Sequence, residues 1–211
     1  FNMVRKLVLI IGLLLMIVIT GNAQRKRAFL VGISHYDTAL TGYQWNNING
    51  VEDINLLSPI LKKQGYNLTT ILDEQATYDQ ITRQLTSFTN KTKKGDIVYL
   101  HFSTHGQPVE DIDGDEDDGW DEAIVPIDAY KLYKKGFYEG KKHLLDDQLN
   151  TYIKKLRAKI GPTGFLYVVI DARHAGTSSR ANDETVRGTK IGFTYNSKVF
   201  KPSPQKKSHY K

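Results

Sequence analysis

The stretch Phe165-Leu166-Tyr167-Val168-Val169-Ile170-Asp171-Ala172-Arg173-His174-Ala175-Gly176 decides the fold. It begins as an unbroken apolar run of strand length and turns abruptly polar at Asp171. A strand covered on both faces needs such a run, because neither of its sides meets water. The same design recurs upstream, where Ile97 to Phe102 runs straight into Ser103-Thr104-His105-Gly106. A third run, Ala28-Phe29-Leu30-Val31-Gly32-Ile33 within Arg27 to Ser34, reads as a strand deep in the sheet, and Leu68 to Leu72 is a weaker fourth.

Between these runs the apolar spacing becomes helical. Thr77 and Gln80 form a capping box ahead of Ile81, Leu85 and Phe88, which recur on one helix face. Asp146 or Asp147 caps a second helix whose buried stripe is Leu149, Ile153 and Leu156. Val51, Ile54, Leu57 and Leu61 predict a third, ended by Gly65. Pro59 removes a backbone donor inside it, so a kink or break is expected there. Strands alternating with helices imply an α/β domain with a mainly parallel central sheet, helices on both faces and right-handed crossovers. Binding and chemistry then collect at the carboxyl ends of the strands.

The chain has 211 residues and no cysteine, which excludes a disulfide framework and any Cys-based metal or redox site. With 40% hydrophobic and 25% charged residues it has the composition of a folded domain, and its net charge of +6 does not identify a nucleic-acid binder. Met3-Val4-Arg5-Lys6, the apolar run Leu7 to Ile19 and Gly21-Asn22-Ala23 have the form of an export signal cut after Ala23. Residues 1–23 are thus expected to be the only membrane contact, and the protein is expected to be exported to a periplasm or the cell exterior. The domain is placed at 24–180, followed over 181–211 by a basic flexible tail or by an incomplete remainder of the domain. Phe1 and Asn2 precede Met3, and the far end lacks a closing apolar element, so both termini read as the edges of a fragment and the domain as C-terminally truncated.

A His-Gly after one buried strand and Asp-Ala-Arg-His-Ala-Gly after the next resemble the caspase-like cysteine peptidases, caspases and metacaspases (peptidase C14). There the second motif is Asp-Ala-Cys-His-Ser-Gly. The resemblance covers roughly Arg27 to Arg180 and implies a caspase-like three-layer sandwich. It makes His105 the general acid or base, assigns the Gly106 N–H to the oxyanion hole, and puts Arg173 where the nucleophilic Cys belongs. A guanidinium stays protonated and cannot attack a carbonyl, so the acyl-enzyme cannot form in the chain as written. Ser178, Ser179 and Thr177 lie too far along the chain to substitute. Three readings stay open: an inactive homologue of endopeptidases that cleave after basic residues, an active peptidase if position 173 is Cys in the true gene, or a pseudopeptidase that binds basic peptides or a protein partner.

Matched to metacaspases, the acidic pocket for a basic side chain falls on Asp53, Ser103 and Asp171. Paired carboxylates suit a guanidinium or an ammonium, and the plain alternative for Asp53 is an exposed helix residue. Residues 111–122 carry eight acids in twelve positions, yet the spacing fails the EF-hand pattern at Asp118. The stretch is similar to a metacaspase calcium loop, which implies Asp121, Asp146 and Asp147 as ligands, with Arg180 where a further Asp is usual. A solvated acidic loop is the alternative, and no cofactor is required by the chemistry itself. Lys131 to Lys142, interleaved with Tyr133, Phe137 and Tyr138, reads as a hairpin whose lysines neutralise those acids rather than as a nucleic-acid patch. The expected partner is a polypeptide carrying basic residues; the sequence does not fix the oligomeric state.

Overall fold

Ala28 to Val31 are all buried, and alternate residues face opposite layers, as a strand's twofold period demands. Ala28 and Leu30 pack with Ile54 and Leu61, while Phe29 and Val31 join Ile81, Leu85, Phe88, Leu149, Leu156 and Ile160. The computed structural model describes residues 24–172, 188–189 and 191–196. Four strands, β1 (Lys26–Gly32), β2 (Tyr66–Leu72), β3 (Ile97–Ser103) and β7 (Phe165–Asp171), form a parallel sheet in the order β2-β1-β3-β7. Helix α1 (Gly50–Lys63) covers one face; α2 (Tyr78–Lys91) and α3 (Asp146–Ile160) cover the other. The result is the expected three-layer α/β sandwich.

Where the structure departs from the expectations, the reasons are local. Pro59 does not break α1, which runs unbroken from Gly50 to Lys63. Pro59 and Asn55 are both exposed, so the carbonyl deprived of its donor lies on the solvent side, where water can replace the lost bond. Neither Asp146 nor Asp147 caps α3: Leu145 is the N-cap, and the two acids occupy the first turn, where they complement the positive end of the helix dipole. Thr77 does cap α2, accepting the Gln80 N–H at 3.3 Å. β7 is not covered on both faces among the described residues, because Phe165, Tyr167 and Ile170 remain exposed.

A second, antiparallel sheet was not legible in the sequence. It comprises β4 (His105–Glu110), β5 (Trp120–Val125) and β6 (Leu144–Leu145), in that order. Val109 also bridges Phe193, so the segment around Phe193 lies parallel beside β4. The Lys131 to Lys142 excursion does fold back on itself at Lys134 and Tyr138. Its lysines form no ion pair with residues 111–122 among the described residues; Lys142 pairs with Asp128 at 2.6 Å.

Gly50 opens α1 at the point where it meets the sheet. A Cβ there would fall against the carbonyl oxygens of Ser103 and Ile33, inside any tolerable contact. Gly50→Ala is therefore expected to destabilise the fold by about 3 kcal/mol or more, since rigid backbone must move to admit the methyl. Urea unfolding measures it; a loss below about 1 kcal/mol would contradict this account of the packing.

Candidate active site

β3 ends at Ser103 and β4 begins at His105, so the chain turns over the carboxyl edge of the parallel sheet there. His105 is 2% exposed. Its Nε2 lies 2.8 Å from the Asn46 carbonyl oxygen, which can only accept, so Nε2 carries the proton. Its Nδ1 accepts the Gly188 N–H at 2.7 Å and is therefore the lone-pair nitrogen. The ring stacks on Trp45 at 4.9 Å between centroids and lies against Tyr36 at 4.6 Å. The His105 backbone N–H donates to the Tyr36 hydroxyl, which in turn donates to Val125 O at 2.5 Å. Position, ring plane and tautomer are all fixed.

Beside this histidine, α1 delivers an acid. Ser103 Oγ donates to Asp53 Oδ2 at 2.6 Å, one helical turn after the close approach at Gly50. Asp171 is the register partner of Ser103 on β7, and its carbonyl accepts the Thr104 N–H at 3.2 Å. Register partners in adjacent strands share a face, so Ser103 and Asp171 lie on the same side of the sheet. Asp53, expected from the motif match alone, thus meets Ser103 directly, which an exposed helix residue would not do.

Arg173, Arg180, residues 1–23 and most of 181–211 lie outside the described residues. The backbone leading to Arg173 is described: a Cβ on Gly106 would collide with the Ala172 carbonyl. The residue before position 173 therefore touches the residue after His105, and only a glycine permits that approach.

In the acidic loop, carboxylate oxygens of Asp111, Asp115 and Asp121 come within 4.8 Å of one another, as do those of Asp113, Asp115 and Asp147. Asp146 is in neither group, although its Oδ1 is buried without a hydrogen-bond partner. Asp121 is only 5% exposed, and no hydrogen bond reaches its carboxylate among the described residues. Burial first, then Asp111, Asp146, Asp113 and Asp115, push its pKa up to about 6. Asp111 is held lower by backbone N–H donors, chiefly those of Gly114 and Glu116. A buried acid without a partner, facing further carboxylates, suits a hard cation with oxygen ligands.

The family profile described as "Metacaspase, peptidase C14 domain" matches residues 26–181. The chain belongs to the metacaspase family. Metacaspase-1B of Aspergillus fumigatus is 31% identical over 166 residues, covering 73% of this chain and 36% of that protein. Metacaspase-1 of Pyricularia oryzae is 28% identical over 162 residues, covering 73% and 37%. The chain thus spans little more than a third of the length of these relatives. Among solved structures, protein GSU0716 from Geobacter sulfurreducens shares the fold, with a TM-score of 0.56 and 24% identity over 72% of this chain and 52% of that one.

Sequence reasoning missed Tyr36, Trp45, Asn46 and Gly188 around His105. Tyr36 and Trp45, aromatic residues in the polar loop after β1, were the only available signal. It also missed His143, which ties the Phe193 segment to the domain. Tyr138 donates to His143 Nδ1 at 3.0 Å, and His143 Nε2 donates to Gln107 Oε1 at 2.8 Å. Gln107 Nε2 then donates to Ile191 O and Lys131 O, each at 2.9 Å. Full burial lowers the His143 pKa from the usual 6.5 to about 3. Between those values the unfolded chain binds a proton that the folded chain refuses, so stability falls as pH drops from 6.5 towards 3. The slope approaches about 1.4 kcal/mol per unit. Urea unfolding at pH 7 and pH 5 should show about 2 kcal/mol of acid loss that His143→Gln removes. Equal pH dependence in both proteins would refute this.

Proposed function

We propose that this metacaspase domain derives from cysteine endopeptidases that cleave after basic residues, and that as written it is proteolytically silent. The observation that carries the reading is His105 at the sheet edge, with Nδ1 as its lone-pair nitrogen and Gly106 packed against Ala172, the neighbour of Arg173. With a thiol at position 173, its proton would pass to His105 Nδ1 while sulfur bonds to the peptide carbonyl carbon and the carbonyl electrons move onto oxygen. The Gly106 N–H would support that oxyanion. His105 would then protonate the leaving amine, leaving a thioester for water to hydrolyse. A guanidinium supplies neither the proton nor the electron pair.

The Asp53–Ser103 pair and Asp171 support recognition of a basic side chain before the scissile bond. The Gly188 N–H occupies the same lone pair that the thiol proton needs, so turnover in this reading requires that contact to open. The buried Asp121 carboxylate, which no hydrogen bond reaches among the described residues, favours calcium at the acidic loop, where the ion would neutralise mutual repulsion and fix the loop. Asp121, Asp111 and Asp115 form the first group of ligands; Asp147 belongs to the adjoining group. In the same reading residues 1–23 direct export.

Arg173→Cys is expected to cleave an Arg-ended fluorogenic peptide that the unaltered chain leaves intact. In that background His105→Ala should cost about 10³-fold in kcat/KM. Asp53→Ala should raise KM about tenfold or more. Cleavage by the Arg173 form, or indifference to His105→Ala, would overturn the assignment.

Calcium titration calorimetry on the unaltered chain should give saturable binding that Asp121→Asn weakens about tenfold or more. Unchanged binding would remove calcium from the site.

A further inference from the structure

The amino-terminal edge of the parallel sheet, opposite His105, opens into a groove of about 750 Å³. Arg25, Lys26, Arg27, Lys91 and Lys93 line it with Asn67, and no carboxylate lines it among the described residues. The cations are not equivalent. Arg25 spends its fork on Asp96, with both bonds at 2.9 Å. Arg27 is half-buried and sits 4.7 Å over the Phe88 ring, and none of its guanidinium N–H groups makes a hydrogen bond among the described residues. Burial also pulls its pKa below the usual arginine value.

A planar five-donor fork, partly desolvated and steadied by an aromatic face, has lost water without gaining an acceptor. Its position is rigid: Arg27 belongs to β1 and pairs in register with Asn67 on β2, while Lys91 ends α2. A structural role alone would be served by the stacking on Phe88, and Lys91 alone by the negative end of the helix dipole. Neither explains five cations lining one groove whose lining holds no acid among the described residues, the nearby Asp96 being already bound by Arg25.

We infer that this groove binds a small oligophosphate, with Arg27 gripping one phosphoryl group bidentately and Lys91 and Lys93 neutralising another. The volume exceeds what a single phosphate needs, and the spread of cations calls for more than one anionic group. The site uses none of the residues assigned to peptide cleavage, so it stands whether or not the chain has proteolytic ancestry.

The test is titration calorimetry of the unaltered chain with inorganic tripolyphosphate in metal-free buffer. Saturable binding is expected below about 1 mM, weakened about tenfold or more by Arg27→Gln and likewise by the double change Lys91→Gln/Lys93→Gln. Because Lys91 and Lys93 are exposed, the second variant keeps its fold. Lys134→Gln/Lys135→Gln removes the same charge elsewhere and should leave binding unchanged. Absence of saturable binding, or an equal loss in the Lys134/Lys135 variant, would overturn the inference, the latter by reducing it to net charge.

Discussion

The carboxyl edge of the sheet depends on how closely the first turn of α1 approaches β1 and β3. Gly32 and Gly50 face each other there, and neither could carry a methyl without meeting the other's surroundings. That approach brings Asp53 within 2.6 Å of Ser103 Oγ and leaves the backbone of Ser103 free to accept the Ile33 N–H at 3.1 Å. A second tight contact, Gly106 against Ala172, draws the start of β4 onto the end of β7. Two backbone contacts without side chains thus put a histidine, an acid and the chain leading to position 173 at one edge.

His105 owes its chemical state to elements that share no sequence proximity. Asn46 and Trp45 come from the loop after β1, Tyr36 from the same loop, and Gly188 from beyond β7. Together they hold a neutral imidazole with the proton on Nε2. The Gly188 contact is secured in turn by Phe193, which is fully buried, and by the Gln107–His143–Tyr138 network. Burial of that network makes the folded His143 refuse the proton that the unfolded chain binds below its usual pKa.

Metacaspase membership and the identity of residue 173 make separate statements about the molecule. Membership rests on the length of chain matched, and the layered parallel sheet agrees with it. Thiol chemistry would need a Cys at position 173, where this chain has Arg, and a fold preserved by packing does not depend on that side chain. The acidic loop follows the same division. Its carboxylates gather because β5 and the start of α3 bring Asp121 and Asp147 to the 111–115 turn, whatever position 173 holds.

The sequence by itself determined the parallel sheet. Unbroken apolar runs can be satisfied only between two layers, and Ala28 to Val31, Ile97 to Phe102 and the Thr77 cap fell where those rules put them. It also placed His105 and Asp171 at strand ends, because each apolar run stops abruptly at a polar group. It could not reveal the β4-β5-β6 sheet, whose strands are short and mix Pro108, Gln107 and Asp121 with apolar residues. Nor could it settle the persistence of α1 through Pro59, or the start of α3 at Asp146. Only the tertiary structure joined Asp53 to Ser103 and Gly188 to His105. Contacts between segments distant in sequence follow from the three-dimensional approach of backbones, which periodicity along one chain does not encode.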